Sequence, residues 1–148
     1  MIGAIIARNS VAKAFDAMNR KDLTTFMKSW WEDGEFICPG DIPECGTFTG
    51  REAVEIWFRN FFDQYPRLHF NVADINVKNI FAMSGNNVVT VHWDIELKNR
   101  NGKVGRNSGV TVITIKGGRA LHVKDYIFDL GEEFRVSWSP KKITMKNI

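Results

Sequence analysis

Two cysteines and three histidines are all the soft ligands that this 148-residue chain offers. His69, His92 and His122 carry no metal-ligand spacing, so neither a zinc site nor any other metal is expected. Cys38 and Cys45 are too few for a disulfide framework, and free thiols are expected. No glycine-rich loop opens a helix in the manner of a phosphate-binding site, and no cofactor is expected. No apolar run reaches membrane-spanning length. Residues 1–7 are apolar, but Arg8 follows at once, which argues against a secretory leader. These absences give a cytoplasmic protein that is independent of a membrane.

An excess of charge is also missing. The formal net charge of +3 comes from Lys141, Lys142 and Lys146 in an acid-free tail. Without them 17 basic side chains meet 17 acidic ones, which is no footprint for nucleic acid. Aromatics are what the chain does have: five Trp and eleven Phe. They can fill a core or line an apolar cavity.

The organising stretch is residues 22–40, DLTTFMKSWWEDGEFICPG. It predicts a short helix N-capped by Asp22, a tight turn at Asp33-Gly34, and a strand from Glu35 to Cys38. Phe36 and Cys38 share one strand face. A first helix is predicted over 3–19, with Val11, Ala14, Phe15 and Met18 on its apolar stripe. Residues 39–50 read as a loop. Thr49 and Glu52 have capping-box spacing before a third helix, 50–64, whose stripe is Val54, Trp57, Phe58 and Phe61. Strands follow at 67–82, 88–98, 104–116 and 119–128, with a short edge strand at 132–139. In the 88–98 strand, Val89, Val91, Trp93, Ile95 and Leu97 face one way and His92, Asp94 and Glu96 the other. Three helices ahead of long antiparallel strands make one α+β domain: a curved antiparallel sheet wrapped around the helices as a cone-shaped barrel, with a core over about 5–130 and an extension over 131–148.

The segments MNRKDL (18–23), WWEDGEFICPG (30–40), FTGREAVEIWF (48–58) and GRALHVKDYIFD (118–129) resemble the nuclear-transport-factor-2-like superfamily. Within it, the SnoaL-like and ketosteroid-isomerase-like branch is the most similar. The resemblance implies a deep pocket for a small apolar, cyclic molecule and a homodimer formed through the convex face of the sheet. The isomerase branch keeps its general base where this chain has Cys38, its oxyanion tyrosine where this chain has Ala14, and its protonated aspartate near Thr111. All three are replaced, so ketosteroid isomerase activity is not expected. The epoxide-hydrolase branch resembles this chain at Asp125-Tyr126 and, with His in place of Arg, at His92 and Asp94.

Asp125 lies between Val123 and Ile127 at period two. On an inner face it would be desolvated and poised for proton transfer; on an exposed edge it would be an ordinary carboxylate. His92 and Asp94 could join it, or could be the wet side of the sheet. Trp30, Phe36, Cys38, Val54, Trp57, Phe58 and Thr111 are the expected substrate-binding lining. Two functions remain open: metal-independent proton transfer of the isomerase, cyclase, dehydratase or epoxide-hydrolase type, with Asp125, Asp94 and His92 as catalytic residues; or a non-catalytic ligand-binding or dimerisation module.

Overall fold

The computed structural model describes residues 1–139. Its order is α1 (Ile2–Asn19), α2 (Leu23–Lys28), β1 (Trp30–Cys38), β2 (Gly46–Thr49), α3 (Arg51–Gln64), β3 (Arg67–Val77), β4 (Asn87–Lys98), β5 (Val104–Lys116), β6 (Arg119–Ile127) and α4 (Glu132–Trp138). The predicted α+β class is what is found: three helices, with β1 and β2 between the second and third, precede the β3–β6 meander, and all six strands form one curved, unclosed sheet, ordered β2-β1-β6-β5-β4-β3. β3 to β6 form an antiparallel meander. The sheet is not wholly antiparallel, because β1 pairs parallel to β6. That pairing brings the organising stretch beside Asp125.

Local chemistry accounts for the helices and their docking. The Asp22 side chain accepts the Thr25 N–H at 3.0 Å and so caps α2. Val11, Phe15 and Met18 of α1 are buried. At the end of α1, Asn19 donates to the Phe70 carbonyl at 3.0 Å and accepts the Phe70 N–H at 2.7 Å. One amide thus fastens the helix to β3. Lys21 donates to the Phe62 carbonyl at 2.9 Å and to that of Tyr65, placing a cation at the C-terminal end of α3.

Several local expectations are corrected. Asp33-Gly34 is no turn between helix and strand, because β1 starts at Trp30 and carries an irregularity between Trp30 and Glu35. A Cβ on Gly34 would stand 2.9 Å from the Trp30 ring, so the missing side chain lets the backbone fold over that indole. The 39–50 loop contains β2, which pairs with β1 from Glu35↔Thr49 to Cys38↔Gly46. Gly50, not Thr49, is the N-cap of α3, and no side chain caps it. Residues 132–138 form helix α4 instead of an edge strand. Phe134, Val136 and Trp138 alternate in sequence, but Phe134 and Trp138 also have i, i+4 spacing, and the core takes that face. Lys141, Lys142 and Lys146 lie outside the described residues.

The aromatics converge on α3. Phe36 of β1 is 1% exposed; its ring centroid lies 4.6 Å from that of Trp57 and 5.0 Å from that of Phe58. Trp138 of α4 packs on Trp57, Phe61 and Tyr65 with centroids 5.3–5.9 Å away. Such contacts, tilted in four pairs and edge-to-face between Tyr65 and Trp138, add to burial. Phe36→Ala is expected to lower unfolding free energy by about 3–5 kcal/mol. Phe128→Ala, at a residue 64% exposed, should change it by less than about 0.5 kcal/mol. Urea denaturation of both variants checks this.

Candidate functional site

The inner face of the sheet and the helices enclose a cavity of about 150 Å³. Its wall is aromatic and aliphatic: Phe15 and Phe26 from the first helices, Trp30 and Phe36 from β1, Trp57 and Phe58 from α3, and Trp93 from β4. The opening is edged by the exposed residues Lys103 and Arg106 of the β4–β5 hairpin and β5, and by Asp129 and Glu133 beside and within α4. Phe134, Ser137 and Trp138 of α4 reach the same wall. The helix is fixed there by polar bonds. Gln64 donates to the Ser137 carbonyl at 2.6 Å and Asn99 to the same oxygen at 3.0 Å, while the Tyr65 hydroxyl pairs with Ser137 Oγ at 2.7 Å.

Inside that wall stands one carboxyl group, Asp125, on β6 between Val123 and Ile127, which also line the cavity. Its β5 neighbour is Thr111. Thr111 Oγ1 donates to Asp125 Oδ1 at 2.6 Å and accepts the Trp93 Nε1–H at 2.8 Å. Burial pushes the Asp125 carboxyl up to about 6, and the Thr111 hydrogen bond pulls part of the way back. The carboxyl is therefore ionised at neutral pH and within reach of protonation slightly below it.

The other sequence-predicted residues divide cleanly. Trp30, Phe36, Cys38, Trp57, Phe58 and Thr111 line the cavity. Val54 does not; it is fully buried behind the α3 aromatics. His92 and Asp94 are not brought to Asp125. Val89, Val91, Trp93 and Ile95 are buried on the inner face of β4, so His92 and Asp94 project from the outer one. His92 lies 6.1 Å from the Phe128 ring there, and Asp94 is exposed. The same alternation leaves Tyr126 outside. Cys38 is not a free thiol: it is joined to Cys45 as a disulfide across the β1–β2 connection, with Cα atoms 4.9 Å apart. Among the described residues, no three of His, Cys, Asp and Glu are grouped so as to hold a metal, and no helix is long and apolar enough to cross a membrane.

Sequence reasoning missed the part of Trp93 and the whole of α4. Trp93 was legible as sharing a face with Val89 and Val91, yet its bond to Thr111 depends on register, since Trp93 stands opposite Gly109 and Val91 opposite Thr111. A Cβ on Gly109 would come within 2.6 Å of the Trp93 ring. The glycine lets the indole lie across β5 towards Thr111.

The raised Asp125 pKa has a consequence for stability, and its sign can be worked out. The folded protein holds this proton up to about pH 6, whereas an unfolded chain releases it near pH 3.9. Stability therefore falls as pH rises through that window, and the full penalty, about 3 kcal/mol, is present above it. Asp125→Asn should be more stable than the wild type by about that amount at pH 7.5 and show little difference at pH 3.5. Chemical denaturation at the two pH values is the check.

Comparison with known proteins agrees with this architecture. The chain resembles the structure of Bal32a from a soil-derived mobile gene cassette, with 20% identity, a TM-score of 0.78, and coverage of 93% of this chain and 99% of that one. A candidate polyketide cyclase from Xanthomonas campestris pv. campestris is 18% identical with a TM-score of 0.69, covering 93% and 99%. A candidate isomerase from Bacillus subtilis is 21% identical with a TM-score of 0.72, covering 94% and 98%. At these identities the likeness is one of fold. Among curated proteins none matches by sequence. The model of the SnoaL-like domain matches residues 11–123, most of the helices and sheet described above, and the chain belongs to the SnoaL-like family.

Proposed function

We propose that the cavity binds a small, neutral, largely apolar cyclic molecule and that Asp125 moves a proton to or from it. The observation that carries this reading is a single enclosed carboxyl in a largely aromatic and aliphatic wall, with no cation bonded to it among the described residues. A carboxylate without a counter-ion is a stronger base than one in water, because taking up a proton removes a desolvated charge. A cavity near 150 Å³ suits a ligand about the size of one six-membered ring, since an apolar cavity of that size in another protein holds benzene. Proton transfer at a carbon next to a carbonyl, or at a hydroxyl, fits an isomerase, cyclase, dehydratase or epoxide-hydrolase step. His92 and Asp94, on the outer face, take no part. The reading includes a homodimer through the convex face of the sheet, where Val110, Val112 and Tyr126 keep accessible surface; sedimentation at twice the 16.9 kDa of one chain would agree.

A second reading is a binding module without chemistry. It is favoured by the loss of the isomerase set, with a disulfide-bonded cysteine, Ala14 and Thr111 in place of base, tyrosine and acid.

One experiment separates the two. Single-ring ketones such as cyclohexanone are incubated with the protein in deuterated buffer, and exchange at the α-carbon is followed by proton NMR. Catalysed exchange is expected, with a loss of about 10²-fold or more in Asp125→Asn and retained quenching of the cavity tryptophans by the ketone. Binding without catalysed exchange supports the module, and catalysed exchange that is equal in the variant removes Asp125 from the proton transfer.

A further inference from the structure

The two oxygens of Asp125 are not equivalent. Oδ1 faces the Thr111 hydroxyl at 2.6 Å. Oδ2 has no protein partner among the described residues and keeps accessible surface, on a residue of the cavity wall. We infer that Thr111, held by Trp93, is a positioning residue that keeps Oδ1 a permanent acceptor, so that the exchanging proton of Asp125 is carried on Oδ2 alone, facing the ligand.

Hydrogen-bond supply decides which oxygen carries the proton. An indole N–H can only donate, so Trp93 Nε1, 2.8 Å away, occupies a lone pair of Thr111 Oγ1. Thr111 is 5% exposed, and the one acceptor its hydroxyl proton reaches among the described residues is Asp125 Oδ1. Were Asp125 protonated on Oδ1, that proton would point at Thr111, and the threonine hydroxyl would have to turn its own hydrogen away with nothing to receive it. A buried donor left unpaired loses its hydration with nothing in return. Protonation on Oδ2 avoids that loss and leaves the whole chain of donors intact. Gly109 is part of the device, since any side chain there would displace the indole.

In chemical terms, Oδ2 of the ionised carboxyl accepts a proton from the ligand as the donating bond breaks. The same oxygen returns the proton to a second atom of the ligand or to water. Oδ1 keeps its bond to Thr111 throughout, so the carboxyl does not have to rotate between uptake and return.

This rests on the reading of Asp125 as the proton carrier, but its test does not depend on turnover. The Asp125 carboxyl is followed by carbon NMR across pH in the wild type, Thr111→Val, Thr111→Ser and Trp93→Phe, with Asp125→Asn identifying the signal. Thr111→Val keeps the shape and removes the hydroxyl, and should move the midpoint up by about one unit. Thr111→Ser should return it to the wild-type value. Trp93→Phe does not touch the carboxyl, yet it removes the donor that orients and polarises the Thr111 hydroxyl, so the bond to the ionised Oδ1 weakens and the midpoint should also rise. A midpoint unchanged in both Thr111→Val and Trp93→Phe overturns the assignment, and so does failure of serine to restore it. If Thr111→Val does not fold, the Trp93→Phe titration decides alone. Loss of α-carbon exchange in Asp125→Asn with an unmoved Thr111→Val titration would leave the proton-transfer reading standing and remove this one.

Discussion

A residue on a β-strand has one choice of face, and in this molecule that choice decides the chemistry. The sheet has a single inner surface, closed by helices, and alternation assigns each side chain to it or away from it. Thr111 and Asp125 pair in register across β5 and β6, and Val91 pairs with Thr111 from β4, so all three point inward together. His92, Asp94 and Tyr126, each one residue removed in parity, are outside by the same rule. A one-residue slip of β6 would exchange Asp125 for Lys124 or Tyr126 and abolish the site while leaving the fold recognisable.

That rule also explains what the sequence could and could not tell. The alternation of residues 88–98 gave the partition of β4 outright, and period three-to-four gave α1 and α3. The face that turns inward was legible only as two alternatives, because valines and Trp93 on one side and His92, Asp94 and Glu96 on the other fit a wet outer face and a polar pocket alike. The burial of Val89 and Val91, both 0% exposed, settles it. What stayed hidden depends on distant partners. The parallel β1–β6 pairing joins segments some ninety residues apart. β2 is only Gly46–Thr49, inside a Pro- and Gly-rich stretch whose composition says loop. Phe134 and Trp138 satisfy strand and helix periods at once, and the Trp57–Phe61–Tyr65 surface selects the helix.

The cysteines follow the same logic. Their number led to an expectation of free thiols, which the Cys38–Cys45 disulfide overturns, because number says nothing of geometry. Pro39-Gly40 reverses the chain after β1, β2 returns beside it, and Cys45 is thereby delivered next to Cys38. Cys38 keeps its place in the cavity wall, so its expected part as lining stands while its thiol does not. The position that the isomerase branch gives to a base is here chemically closed by the bond to Cys45, and the carboxyl in the cavity wall stands on another strand.

The remaining question is why a small domain would hold a carboxyl in an apolar wall at all. Placing an ionised Asp125 there costs about 3 kcal/mol at neutral pH, against a total stability of order 5–15 kcal/mol for a domain of this size. A Leu or Val at the same point on the inner face would carry no such penalty and would pack against Val123 and Ile127. A structural role therefore does not account for the carboxyl, and the Thr111 bond does not either, since it offsets only part of the shift. Destabilising groups concentrate where binding or catalysis needs them. The aromatic packing around Phe36, Trp57 and Trp138 is what allows the fold to carry the burden. The open side of Oδ2 is where a ligand would meet it.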